Sequence, residues 1–184
     1  MSSKKGKVED LIEQKFLENR TIFLNGQVDG KSAKHVIDRL LYLDMDNHDE
    51  IKFYINSPGG YVTDGFAIYD TMQAIKSPVS TICSGLAASM GSILLSAGSK
   101  GRRFIQPLAK VMIHQPMGGA QGQASNIEIQ AKEILKTKEL SAKILAENCG
   151  QDFDKVMADF KRDYWMDAEE SIAYGIVDGH FKDM

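Results

Sequence analysis

Short β-branched or aromatic runs alternate with segments of helical periodicity, and this alternation constrains the fold more than any other feature of the chain. Thr21-Ile22-Phe23-Leu24, Ile51-Lys52-Phe53-Tyr54-Ile55-Asn56 and Val79-Ser80-Thr81-Ile82-Cys83 each read as strands. Between the first two, Asn25-Gly26 marks a turn. Ala33, Val36, Ile37, Leu40 and Leu41 then recur at three- and four-residue spacing, which predicts a helix over Ser32 to Leu43. The acidic run Asp44 to Glu50 reads as a solvated loop. Ser57-Pro58-Gly59-Gly60 breaks the second strand and opens another helix, capped by Thr63 or Asp64 and stopped by Ser77-Pro78. Small residues from Leu86 to Ala97 read as a third helix. Strands and helices in this order imply right-handed crossovers and a mostly parallel sheet covered by helices, an α/β fold.

The second half changes character. Arg102-Arg103-Phe104-Ile105 and Lys110-Val111-Met112-Ile113 are strand-like, and a loop with Gly118, Gly119 and Gly122 leads into a long helical pattern from Ser125 to about Asn148. Such a helix spans about 36 Å, whereas a domain of this length has a radius of gyration of about 16 Å. It therefore projects, yet Ile127, Ile134, Leu135, Leu140, Ile144 and Leu145 are too apolar to stay wet. Either the body or another subunit covers them. Asp167-Ala168-Glu169-Glu170 forms a capping-box pattern for a last short helix ending at Gly175.

With 184 residues, 43% hydrophobic and 26% charged, the chain has the composition of one compact domain. A net charge of −3 argues against a dedicated nucleic-acid or anionic-membrane binder. Cys83 and Cys149 lack partners at metal-ligand spacing, so neither a disulfide framework nor a zinc site is indicated and a reducing, cytoplasmic compartment is expected. No apolar run is long enough to cross a bilayer. The basic start, Met1 to Lys7, lacks the apolar stretch of a secretory signal and is expected to be a mobile tail.

Ser84-Gly85-Leu86-Ala87-Ala88-Ser89-Met90-Gly91-Ser92 is the most specific chemical signal. It sets a serine on a strand-to-helix turn among small residues, and Ala87-x-Ser89-x-Gly91 differs from a nucleophile elbow only at its first position. A tightly packed helix would also select small residues, so partners must decide. A serine nucleophile needs a base, usually histidine. His35 lies in a surface helix pattern, His48 in the acidic loop and His180 near the C-terminus, whereas His114 ends a strand, where parallel-sheet enzymes hold their chemistry. The carboxylate that orients the imidazole cannot be chosen by composition among 25 acidic residues; Asp163, just before Tyr164-Trp165-Met166, is one candidate.

Five stretches in order, Tyr54 to Gly60, Ile68 to Gln73, Ala87 to Gly91, Met112 to Pro116, and Arg162-Asp163 followed by Tyr174 to Asp178, resemble the ClpP family, the proteolytic subunit of the ATP-dependent Clp protease, over roughly Thr21 to Asp178. The resemblance implies a ClpP/crotonase-like fold of repeated βαβ (ββα-type) units with a projecting handle helix. It implies a serine endopeptidase with Ser89 as nucleophile, His114 as base, Asp163 as its orienting partner, and the backbone N–H groups of Gly60 and Met90 as oxyanion hole. It further assigns substrate binding to Gly118, Gly119, Gln121 and Gln123, on a loop that extends a strand beside the substrate. The domain division expected is a tail or axial segment over 1–18 and a single peptidase domain over 19–184, with the handle region at about 117–148. Two stacked seven-membered rings, a tetradecamer fed with unfolded polypeptide by an AAA+ unfoldase of the Clp type (ClpX, ClpA or ClpC), are the implied assembly. No ATP-binding G-x-x-x-x-G-K-[ST] loop occurs, so no cofactor is expected in this subunit and ATP belongs to the unfoldase.

Two rival readings stand beside this one: a crotonase-like acyl-CoA enzyme, against which Ser89 and His114 argue, and a catalytically weak ring partner of a second ClpP paralogue. Three departures from the family pattern bear on partners. Leu11 to Arg20 lacks the Gly-Glu-Arg and Tyr-Asp-Ile-Tyr-Ser-Arg motifs of the axial segment, Lys52 replaces an aromatic residue of the unfoldase docking site, and Lys161 replaces an acidic residue before Arg162-Asp163.

Overall fold

The computed structural model describes residues 3–182. Its elements are α1 (Ser3–Glu18), β1 (Thr21–Asn25), α2 (Gly30–Asp46), β2 (Ile51–Ser57), α3 (Val62–Ala74), β3 (Val79–Ala88), α4 (Met90–Ser96), β4 (Arg103–Ile105), β5 (Lys110–Ile113), α5 (Ala124–Cys149), α6 (Phe153–Asp159), β6 (Tyr164–Met166), α7 (Ala168–Tyr174) and β7 (Gly179–His180). Strands β1, β2, β3, β4 and β7 run in that order as parallel neighbours, so the expected parallel α/β architecture is present. Alternate residues of β2 show why. Ile51, Phe53 and Ile55 are fully buried under the helices, while Lys52 and Asn56 face outward. On α2 the three- and four-residue spacing buries Ala33, Val36, Leu40 and Leu43 against the same core.

Strand β3 departs from the sequence reading. Leu86, Ala87 and Ala88, expected in a helix, continue the strand, and helix α4 covers only Met90–Ser96. Their side of β3 pairs in parallel with β5, Leu86 to Lys110, Ala87 to Val111 and Ala88 to Met112, and this pairing overrides the helical preference of alanine. The same side of β3 is shared, because Thr81, Ile82 and Cys83 pair with β4 instead. The strand changes partner at Ser84-Gly85, where Gly85 takes φ +89 and the register with β2 shifts between Ile55 and Ser57.

Further differences concern helix ends. Thr63 and Asp64 do not cap α3; the N-cap is Tyr61, whose N–H donates to Val28 O at 2.9 Å, leaving Asp64 in the first turn, where a carboxylate favours the helix dipole. Most of the segment expected as a tail is helix α1, while Met1 and Ser2 lie outside the described residues. Its apolar positions recur at helical spacing: Phe16 meets Phe23 of β1 edge-on with ring centroids 4.7 Å apart, Leu17 packs on the core, and Glu13 pairs with Arg39 of α2. The capping box of Asp167 and Glu170 on α7 and the left-handed Gly175 behind it form as read. Helix α6 and strand β6, short elements with little periodicity, were not expected.

Helix α5 is covered only at its C-terminal end, where Ser141, Ala142, Ile144, Leu145 and Ala146 are buried. Ile129 and Leu135 remain 60% and 58% exposed on the projecting part. Buried Arg103 anchors that end. Its Nη1 donates to Asn148 O at 2.7 Å, and its Nε donates to Asp178 Oδ2 at 2.9 Å, while Asp178 N–H donates to Arg103 O at 2.7 Å. Burial works to raise the Asp178 pKa, but the hydrogen bonds from Arg103 outweigh it and hold the carboxyl below the usual carboxylate range.

A carboxyl depressed in the folded state adds stability that is complete above the ordinary carboxylate pKa, about 4, and is lost as acid drives a proton onto it. Asp178→Asn should therefore cost about 3 kcal/mol in urea unfolding at neutral pH and flatten the fall in stability on acidification. An unchanged acid limb in that variant would show that other carboxylates govern it.

Candidate active site

Ser89 follows directly on β3 and caps α4 with φ 54° and ψ −121°, a left-handed conformation that a non-glycine residue adopts only when its surroundings enforce it. They do so from two sides. The Ser89 N–H donates to Met112 O of β5 at 2.8 Å, and the Ser89 carbonyl accepts from Ser92 N at 2.9 Å and Ser92 Oγ at 2.6 Å. Strand and helix thus pin the residue at both ends of its backbone.

Sheet register brings the other two groups to it. In the parallel pair β3–β5, Ala88 stands opposite Met112, so Ser89 arrives at the end of β5 where His114 follows. In the antiparallel pair β5–β6, Val111, Met112 and Ile113 face Met166, Trp165 and Tyr164, and the next pair in register is His114 with Asp163. His114 Nε2 lies 2.9 Å from Ser89 Oγ, and His114 Nδ1 lies 3.2 Å from Asp163 Oδ1. The loops carrying these two side chains are tied by Gln115 N–H donating to Phe160 O at 3.1 Å. The imidazole is well covered at 12% exposure, whereas the Asp163 carboxylate is 60% exposed. A proton on Nδ1 donates to Asp163 and leaves the Nε2 lone pair to accept the hydroxyl proton, the arrangement that makes a serine nucleophilic.

The Gly59-Gly60 turn lies against the same serine. A Cβ at Gly59 would stand 2.7 Å from Ser89 Cβ and 2.9 Å from Met90 N, and one at Gly60 would stand 2.1 Å from Val28 O. With φ +89 and +154, both positions also require glycine conformationally. Gly60 bridges Val28 in parallel: Val28 N–H donates to Gly59 O at 2.8 Å and Tyr61 N–H to Val28 O, so the N–H of Gly60 itself points away from Val28. Sequence reasoning had no signal for Val28, because its part in the turn is a backbone contact across the sheet edge.

The other histidines sit elsewhere. His48 meets Asp44 at 3.2 Å, His180 meets Glu169 at 2.8 Å, and His35 lies exposed on α2. Gly118, Gly119, Gln121 and Gln123 form no strand, and none lines the groove beside Asp163; Gly118 instead lies against Ile134 of α5. An extended segment needs a ladder partner, and that loop has none among the described residues. The groove is lined by Gln115, Met117, Phe160, Lys161 and Arg162 together with His114 and Asp163. Lys161 and Arg162 set two cations at its rim. Burial pushes the thiols of Cys83 and Cys149 up to about 12, the latter despite Arg103, so neither is a thiolate near neutrality. Among the described residues no group of histidine, cysteine and carboxylate side chains could hold a metal ion, and no helix is long and apolar enough to cross a membrane.

Among known protein families, the one described as Clp protease matches residues 3–183. Because that match runs through every element from α1 to β7 and not through the serine turn alone, the chain belongs to the Clp protease family and is a ClpP-type peptidase.

Proposed function

We propose that the chain is a serine endopeptidase in which Ser89 attacks the scissile carbonyl, His114 moves the proton and Asp163 orients the imidazole. The observation that carries this reading is the 2.9 Å approach of His114 Nε2 to a serine hydroxyl held in a strained turn. As Ser89 Oγ bonds to the carbonyl carbon, its proton passes to His114 Nε2 and the carbonyl pair moves onto oxygen. The N–H groups of Gly60 and Met90 receive that oxyanion. Collapse expels the amine, which takes the proton from His114, and water then cleaves the acyl-enzyme with the same base. One feature disfavours an acyl-CoA enzyme: the hydroxyl–imidazole–carboxylate chain lies beside the Gly59-Gly60 turn.

Unfolded polypeptide is the substrate we assign, degraded inside stacked seven-membered rings and delivered by an AAA+ Clp unfoldase. The exposed apolar side chains Ile127, Ile129, Leu135 and Leu140 on α5 support an assembly in which another subunit covers that face. The exposed Asp163 carboxylate supports a site that is completed there. Lys161 beside Arg162 favours a second paralogous subunit, since like charges at a repeated interface cost affinity.

Ser89→Ala should lower kcat on a peptide amide by about 10⁶, and Asp163→Asn by about 10⁴ through the wrong imidazole tautomer; a near-normal rate in either variant removes that residue from the mechanism. A fluorophosphonate should label Ser89 and abolish turnover, while iodoacetamide leaves activity intact because Cys83 is buried, Cys149 half-buried and both thiols are protonated. Loss of activity with iodoacetamide alone would implicate a cysteine. In sedimentation velocity Leu135→Asp should dissociate the assembly and Lys161→Glu should increase its tetradecamer fraction. A wild-type chain already fully tetradecameric and active, unmoved by Lys161→Glu, would dispose of the paralogue.

A further inference from the structure

Ser57 is completely buried at the end of β2, between the Gly59-Gly60 turn and the first turn of α4. Its Oγ accepts the N–H of Gly59 at 3.1 Å. A Cβ at Gly91 would lie 3.1 Å from the Ser57 carbonyl oxygen, so the serine is wedged directly beneath the helix that carries Met90. Across the sheet it pairs with Ala87, two residues before Ser89 and just past the register shift between β2 and β3. One residue therefore lies against both segments that bear the oxyanion donors, its hydroxyl on the glycine turn and its backbone beneath α4.

We infer that Ser57 is a positioning residue that aims the Gly60 N–H; this rests on the serine-peptidase reading above. Two bonds fix the peptide planes on either side of Gly59, the Pro58–Gly59 plane through its N–H and the Gly59–Gly60 plane through its carbonyl, and together they set the Gly59 dihedrals that aim the next N–H. Val28 N–H draws the Gly59 carbonyl to one side at 2.8 Å, and Ser57 Oγ holds the Gly59 N–H at 3.1 Å. In a trans peptide the N–H of Gly60 points opposite to the Gly59 carbonyl, so fixing that carbonyl against Val28 directs the donor away from Val28. Glycine has no side chain to resist rotation, and both residues have positive φ, so without the Ser57 acceptor the Pro58–Gly59 peptide is free to turn about Gly59 and the aim of the Gly60 N–H rests on the Val28 bonds alone. Ser57 touches no reacting atom. It acts through the backbone donor, whose stabilisation of the oxyanion grows as charge develops. Its loss should reach the transition state and spare the bound substrate.

The test uses the full chain in its assembled form, a short peptide amide as substrate and a peptide boronate as tetrahedral mimic. Ser57→Ala should lower kcat by about tenfold or more, leave KM within about twofold, and weaken boronate inhibition by the same factor as kcat/KM. Ser57→Cys, close in volume with a weaker acceptor, should fall between wild type and alanine on both measures, and it carries the comparison alone if the alanine variant does not fold. A kcat within twofold of wild type, or a reduced kcat with boronate affinity unchanged, would overturn the assignment. Absence of fluorophosphonate labelling at Ser89 in the wild-type chain would overturn the serine reading itself, a distinct result.

Discussion

The site depends on how β3 shares one edge between two strands. Thr81, Ile82 and Cys83 hydrogen-bond in the ladder with β4, and Leu86, Ala87 and Ala88 in the ladder with β5. A single straight strand cannot lie beside both, so it kinks at Ser84-Gly85, where glycine supplies the positive φ and lies close to the Asn56 side chain. The fork delivers Ser89 to the end of β5 and leaves its N–H bonded to Met112. Everything chemical follows from that placement. The parallel pair sets the serine against His114, and the antiparallel pair β5–β6 sets His114 against Asp163.

Strain at Ser89 is balanced by ordinary backbone and side-chain bonds. A residue held at φ 54° costs of order 1–3 kcal/mol, and the bonds to Met112 and Ser92, each worth about 1 kcal/mol, are of matching size. The Gly59-Gly60 turn is arranged in the same way, with Val28 and Ser57 holding its peptide groups. By contrast the Asp163 carboxylate, 60% exposed, is hydrogen-bonded by His114 alone among the described residues. A carboxylate so open to water orients its imidazole less firmly than an enclosed one, because water competes for the same lone pairs. The hydroxyl and turn are rigidly preset within the chain; the acidic member is not.

Helix α5 joins the two properties that set assembly apart from folding. Its last turns are locked to the body through Arg103, Asn148 and Asp178, and its projecting part carries Ile129 and Leu135, which stay more than half exposed among the described residues. Sequence periodicity reports that a face is apolar, but it carries no information on what lies opposite. This is why the long helix could be read from residues 125 to 148 while the division between its packed and projecting parts could not.

Local patterns legible in the sequence were those whose physics is local. The strand β2, the capping box of Asp167 and Glu170 and the left-handed Gly175 depend on near neighbours and form where they were read, while α2 forms on the spacing read but runs on through Asp46, past the start of the expected loop, and leaves Leu41 exposed. Ser89 and His114 could be singled out from residue type and position at strand ends, whereas Asp163 rested on family resemblance, because nothing local distinguishes one acidic residue among 25. Tertiary structure alone decided that Leu86 to Ala88 extend a strand, that Gly118 lies against Ile134, and that Val28 and Ser57 shape the glycine turn. The strand extension and the grip of Val28 are set by hydrogen-bond partners tens of residues away, and a backbone group pairs with whichever partner the fold brings within about 3 Å, whatever its neighbours in the chain prefer.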